Sequence, residues 1–188
     1  MRTGFKRVRR LHFRLHLWAA VALAGVAWPA GALDSDKRQP ATLEADDFEF
    51  DLEAGVRIYR GNVVFRQGSM HLDCDALVTH YAEDNELEKG VCTGRPGRFK
   101  QRPEGRTADV HGHALSITLD NLRSLVILDG EAEVEQAGDR IRGRRITYDL
   151  RSKKARVTGG AGTAAGQSGD DAGQRPHLIF QPRNEQSN

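Results

Sequence analysis

Apolar residues recur at every second position through most of the chain between Ala41 and Val157. Phe48, Phe50 and Leu52 alternate with carboxylates. Val63 and Phe65 follow the same period, as do Met70, Leu72 and Cys74, then Leu115, Ile117 and Leu119, Ala132 and Val134, and Ile146, Tyr148 and Leu150. A period of two sends successive side chains to opposite faces of an extended strand, so each run has one dry and one wet face. No long segment carries a 3.6-residue period or a clear capping signal, so a helical body is not expected. Turn signals punctuate the runs at Glu53-Ala54-Gly55, Gln67-Gly68, Glu83-Asp84-Asn85, Gly94–Gly97, Asp120-Asn121, Asp129-Gly130, Ala137-Gly138 and Arg151-Ser152-Lys153. Many short strands spaced this way predict an all-β sandwich, jelly roll or solenoid. Between Gly55 and Gly61 both parities are apolar, Val56 and Ile58 against Tyr59, so the inward face of that strand stays open.

A divergent repeat adds to this picture. Arg60–Gly68 (RGNVVFRQG) and Asp129–Gly138 (DGEAEVEQAG) are each followed by an alternating strand ending in an aromatic, Tyr81 or Tyr148, and then a polar tip. Hairpins of similar length stack into an elongated, quasi-one-dimensional sheet pair. Residues 159–175 are Gly-rich and low in complexity, the composition of a flexible loop. Beyond them, 176–182 is a short apolar run bounded by prolines. It suits an edge strand over His177–Gln181, with 183–188 as a tail; the bland alternative is a disordered end with a chance apolar patch.

Ahead of the β body, residues 1–32 have the layout of a secretory signal peptide. Met1–Arg14 is basic, Leu15–Ala27 is apolar, Pro29 breaks the helix, and Ala30-Gly31-Ala32 offers small residues for cleavage before Leu33. The apolar stretch is short for a membrane span, which needs roughly 20 residues, so cleavage is expected over an uncleaved inner-membrane anchor. Export of the body follows in either case. The leader also explains the charge. The chain of 188 residues is formally +2, with 28 Lys and Arg against 26 Asp and Glu. Arg2, Lys6, Arg7, Arg9, Arg10 and Arg14 all lie in the leader, which has no acid, so the exported part is net acidic. Nucleic-acid binding needs a clustered positive field and is not expected.

Chemistry-bearing motifs are few. There is no GxSxG elbow, phosphate-binding loop, GxGxxG fingerprint or HExxH pair, and no cofactor is implied. His111 and His113 flank Gly112 and would share a strand face, but a tetrahedral metal site needs further ligands that no pattern marks. Glu44, Asp46, Asp47, Glu49, Asp51 and Glu53 mostly alternate with apolar residues and are expected on a solvated face rather than as a glycosidase pair. The chain is therefore not expected to be an enzyme. Cys74 and Cys92 flank the turn at Ala82–Asn85 in what should be an oxidising compartment. They are a candidate disulfide or two small half-buried thiols, according to the strand register.

Taken in order, GNVVFRQG, then Asp75-Ala76-Leu77, then DGEAEVEQAGDRIRGRRITYDL resembles the LptA/OstA family of periplasmic lipopolysaccharide-transport proteins. The resemblance runs from about Gln39 to Val157 and rests on Gly61-Asn62-Val63, Gln67-Gly68, Gly130, Gly138-Asp139, Ile141 with Gly143, and Ile146-Thr147-Tyr148. It implies a twisted, incompletely closed antiparallel β-jelly roll with stacked hairpins over 33–158. The Gly-rich insert departs from the family pattern. The implied role is a periplasmic bridge that carries lipopolysaccharide from an LptC-like inner-membrane protein to an LptD-like outer-membrane protein, with copies stacking head to tail.

An exposed CH₂ costs about 0.8 kcal/mol, so an acyl chain of about ten methylenes needs a dry surface worth on the order of 8 kcal/mol. By parity, the candidates to line an apolar groove for the lipid A moiety are Phe48, Phe50, Val63, Phe65, Met70, Leu72, Leu115, Ile117, Leu119, Leu128, Val134, Ile146 and Tyr148. The resemblance adds Phe99, after the turn Gly94-Arg95-Pro96. Plain core packing is the competing role for each. Thr42 and Leu43 near the start, and Leu178, Ile179 and Phe180 near the end, are apolar edge segments without a blunting lysine, which suits strand-to-strand docking. Two other readings remain: an LptC-like component anchored in the inner membrane, and a structural β-solenoid that binds no lipid.

Overall fold

Alternation in the sequence becomes one long antiparallel ladder. A computed structural model describes residues 34–159 and 176–181; the leader, most of the Gly-rich stretch and the tail lie outside the described residues. A single helical turn, α1 (Asp34–Lys37), precedes ten strands: β1 (Ala41–Glu44), β2 (Asp47–Asp51), β3 (Val56–Gln67), β4 (Met70–Tyr81), β5 (Leu87–Gln101), β6 (Val110–Asp120), β7 (Leu125–Gln136), β8 (Asp139–Asp149), β9 (Lys154–Thr158) and β10 (His177–Ile179). All belong to one sheet in the order β1-β3-β4-β5-β6-β7-β8-β10. Each boundary strand is split. On β3, β2 pairs with Val56–Arg60 and β1 with Val64–Gln67. On β8, β9 pairs with Arg145–Asp149 and β10 with Arg140–Arg142. Among the described residues the two boundaries do not pair with each other, so the jelly roll is not closed there.

Five consecutive ladders slip register at the same level: Arg60/Val63, Asp73/Ala76, Thr93/Gly97, His113/Ser116 and Asp129/Ala132. An extra residue in a strand bends it and strengthens its local twist, and aligned slips bend the whole sheet along one line. Gly61 and Gly130 sit on that line with φ of 75° and 78°, followed by Asn62 and Glu131 at 45° and 51°. A Cβ on Gly130 would stand 2.8 Å from the Leu115 side chain, so a left-handed residue there has no room for more than hydrogen. Gly94–Gly97 and Asp129-Gly130, expected as chain reversals, are instead bends inside β5 and β7. At Gly130, with φ 78°, positive φ is what a hairpin turn and a bulge both demand, so local sequence cannot separate them there. The other expected reversals are real, which leaves β3 to β8 long, at 11 to 15 residues each.

Bending brings one face of distant strands together. Tyr59 and Val63 of β3, Cys74 and Leu77 of β4, Cys92 of β5, Ala114 and Ile117 of β6, Leu128, Ala132 and Val134 of β7, and Ile141, Ile146 and Tyr148 of β8 form one buried cluster. Within it Cys74 and Cys92 are bridged, joining β4 to β5 at the bend line. Loop closure over the 18-residue separation is worth about 3 kcal/mol. The variant Cys74→Ala/Cys92→Ala is expected to lose close to that amount, measured as a lower urea midpoint with a steeper slope, because the unbridged unfolded chain exposes more surface.

Candidate functional site

Three rows of side chains cross the inner face of the sheet. One runs Phe48, Tyr59, Leu77, Cys92, Ile117, Leu128, Ile146, Val157. A second, on the other side of the bend, runs Leu43, Phe65, Leu72, Phe99, Gly112, Val134, Ile141, Leu178, from one sheet boundary to the other. A third runs Phe50, Arg57, Thr79, Gly90, Leu119, Val126, Tyr148, Ala155. Val63 stands opposite Cys74, and Met70 opposite Gln67 on the face of Leu72. These rows bring together Phe48, Phe50, Val63, Phe65, Met70, Leu72, Phe99, Ile117, Leu119, Leu128, Val134, Ile146 and Tyr148.

Leu115 is the exception and a correction. The slip between His113 and Ser116 reverses parity within β6, so Ala114 and Ile117 face inward while Leu115 turns outward over Gly130, 43% exposed. Gly112 lies inward because the Phe99 ring occupies its side-chain space: a Cβ there would be 2.2 Å from Cε1. His111 and His113, its neighbours, therefore face outward. Among the described residues no group of three or more His, Cys, Asp or Glu is placed to hold a metal ion.

Burial grades along the face. Val63, Leu128 and Ile146 are inaccessible and belong to the one buried cluster. Phe65, Met70, Leu72, Phe99 and Leu119 are half-buried. Phe48 and Phe50 remain 45% and 54% exposed although they belong to an apolar row. They meet Tyr59 edge to face, with ring centroids 5.3 and 6.0 Å away. The face is thus closed at its centre and open toward the chain reversals at each end.

The pattern left the strand after Gly55 undecided; the register settles it with Arg57 and Tyr59 inward and Val56 and Ile58 outward. The ambiguity has a cause. At this end the outer row is also apolar or β-branched, through Ile58, Val78, Val91, Thr118, Ile127 and Thr147. Arg57 was not a candidate. Its guanidinium lies 3.8 Å from the centre of the Tyr81 ring, a cation–π contact at the mouth of the inner face. Burial pushes the Tyr59 and Tyr148 hydroxyl pKa values up, so both stay neutral donors at physiological pH. At the boundaries, Thr42 and Leu43 lie on β1, Leu178 and Ile179 on β10, and Phe180 just beyond it. Each strand has a single ladder partner, β3 or β8, among the described residues.

The family described as "LptA/(LptD N-terminal domain) LPS transport protein" matches residues 42–154. The chain belongs to this family. The matched segment begins in β1 and ends where β9 starts, so it holds the inner-row residues from Leu43 to Tyr148 but not Ala155, Val157 or Leu178. This LptA-family chain is 30% identical over 152 residues to the lipopolysaccharide export system protein LptH of Pseudomonas aeruginosa, covering 81% of the chain and 85% of that protein. It is 29% identical over 169 residues to LptA of Escherichia coli, covering 89% and 85%. In structure it is similar to the crystal structure of LptH, described as the LptA homologous periplasmic component of the lipopolysaccharide transport device of Pseudomonas aeruginosa. There the TM-score is 0.64 at 27% identity, over 79% of this chain and 99% of LptH.

Two predictions separate packing from exposure and fix the outer electrostatics. Ile146→Ala empties a fully buried site and is expected to cost about 2–5 kcal/mol of unfolding free energy, whereas Phe50→Ala, at a half-exposed site, should cost much less; thermal melts of both variants decide this. On the outer face Arg145 donates two hydrogen bonds to Asp129, at 2.9 and 2.7 Å, and holds its carboxyl below the ordinary value. A lowered folded-state pKa gives stability that is full above the unfolded carboxylate range, near about 3.9, and fades as pH falls through the folded value. Asp129→Asn should therefore flatten that acid limb in urea midpoints measured against pH.

Proposed function

We propose that this chain is a periplasmic carrier of lipopolysaccharide, with the acyl chains of lipid A held on the inner face and the sugars left in water. The supporting observation is the unbroken inner row from Leu43 to Leu178, which runs from one sheet boundary to the other and remains half-open at Phe65, Leu72 and Phe99. A plain core would gain nothing from staying accessible at both ends. An acyl chain entering between the arms exchanges contacts such as Val63 and Ile146 make with protein for contacts with methylene, so little apolar surface meets water in the transfer. The unpaired boundaries let the arms part without breaking a ladder.

In this reading Thr42 and Leu43 at one boundary, and Leu178, Ile179 and Phe180 at the other, add strand to strand. Copies, an LptC-like protein and an LptD-like protein would thereby continue the inner face end to end, linking inner and outer membranes. The chain carries no phosphate-binding loop motif, so the driving energy is supplied by another component. Residues 1–32, the export signal of this reading, lie outside the described residues.

Photocrosslinking groups placed at Phe65, Phe99, Ile117 and Leu119 in cells are expected to capture lipopolysaccharide. Asp73 and Leu115 should not, and Leu115 is the sharper control because it is apolar but on the outer face. Equal capture at Leu115, or none at all four inner positions, would overturn the reading.

A further inference from the structure

On the outer face, at the end that holds β1 and β10, the ladders build a charged array. One row reads His71, Lys100, His111, Glu135, Arg140, and the next Asp73, Arg98, His113, Glu133, Arg142. Between them lies a shallow depression of about 330 Å³ lined by β4 to β7.

The acids in this array are already satisfied. Arg140 pairs with Glu133 at 2.9 Å and with Glu135 at 2.7 Å, and Arg142 also pairs with Glu133. Asp73 stands opposite Arg98 in the ladder, yet its carboxylate meets His71 Nε2 at 3.1 Å. Lys100 shares Asp109 with Arg102. That leaves Arg98 of β5, with His111 and His113 of β6, on adjacent strands with no hydrogen-bond or ion-pair partner among the described residues.

The geometry points to an oxyanion site here: the depression takes a phosphate group between Arg98 and Lys100 on one strand and His111 and His113 on the next. Guanidinium, ammonium and imidazole groups are donors that match the terminal oxygens of a phosphate. The strands are locked by ladders on both sides, and Gly112, held inward by Phe99, fixes both histidines on the outer surface. The site is separated from the inner apolar face by the thickness of the sheet. Its ligand is therefore a phosphate group other than one on a lipid seated inside, and the inference stands whether or not the inner face carries lipid.

The test uses the full exported protein and three probes: inorganic phosphate, glucosamine 1-phosphate, and vesicles of phosphatidylglycerol set against phosphatidylcholine. Calorimetry and co-sedimentation should show saturable binding. Arg98→Ala, and separately His111→Asn/His113→Asn, should weaken it about tenfold, the loss of a charge-assisted hydrogen bond. Arg156→Ala, on exposed β9, should leave it unchanged. Binding of the sugar phosphate without the vesicles identifies a soluble phosphosugar, and capture by anionic vesicles identifies a lipid headgroup; either supports the site. Absence of saturable binding to all three probes, or binding indifferent to the Arg98 and histidine variants in folded protein, overturns it.

Discussion

The bend across the sheet is the constraint on which the rest depends. An antiparallel ladder with one apolar face must cover that face, and it has two ways to do so: close into a barrel or fold over on itself. Here the aligned slips from Arg60/Val63 to Asp129/Ala132 do the folding. The disulfide between Cys74 and Cys92 ties the bend at its centre. Val63, Leu128 and Ile146 are buried in one cluster although no hydrogen-bonded seam joins β1/β2 to β9/β10 among the described residues.

That missing seam has consequences for both ends. A closed barrel would remove its edges and seal its interior. The open form keeps two strand edges available and leaves Phe48, Phe50, Phe65 and Phe99 partly accessible on an apolar face. A surface that is dry at its centre, accessible at its ends and bordered by unpaired strands is what an amphiphile passed between like-shaped neighbours requires. The proposed lipopolysaccharide carrier rests on that description together with membership of a lipopolysaccharide-transport family.

The outer face divides at the same bend. On one side it carries ordered ion pairs and the histidine–arginine array; on the other it carries half-exposed aliphatic and threonine side chains from Ile58 to Thr147. Solvated charge is cheap on a sheet already stabilised from within, so this face is free to vary by region. The inner face is not, since its central side chains are packed into one buried cluster.

The alternation by itself determined the all-β class, most of the reversals and nearly all of the inward set, because a period of two assigns faces without reference to any partner. It also carried the family resemblance, which local glycine and strand motifs encode. What it left open follows one physical rule: parity propagates only as far as the strand is regular. A bulge resets it, so Leu115 moved to the outside, Gly94–Gly97 and Asp129-Gly130 became bends in place of turns, and the face of Tyr59 waited on the register with β4. The pairing of Cys74 with Cys92, the inward position of Arg57 and the array around Arg98 likewise join residues far apart in sequence, and only the strand order and register bring them together.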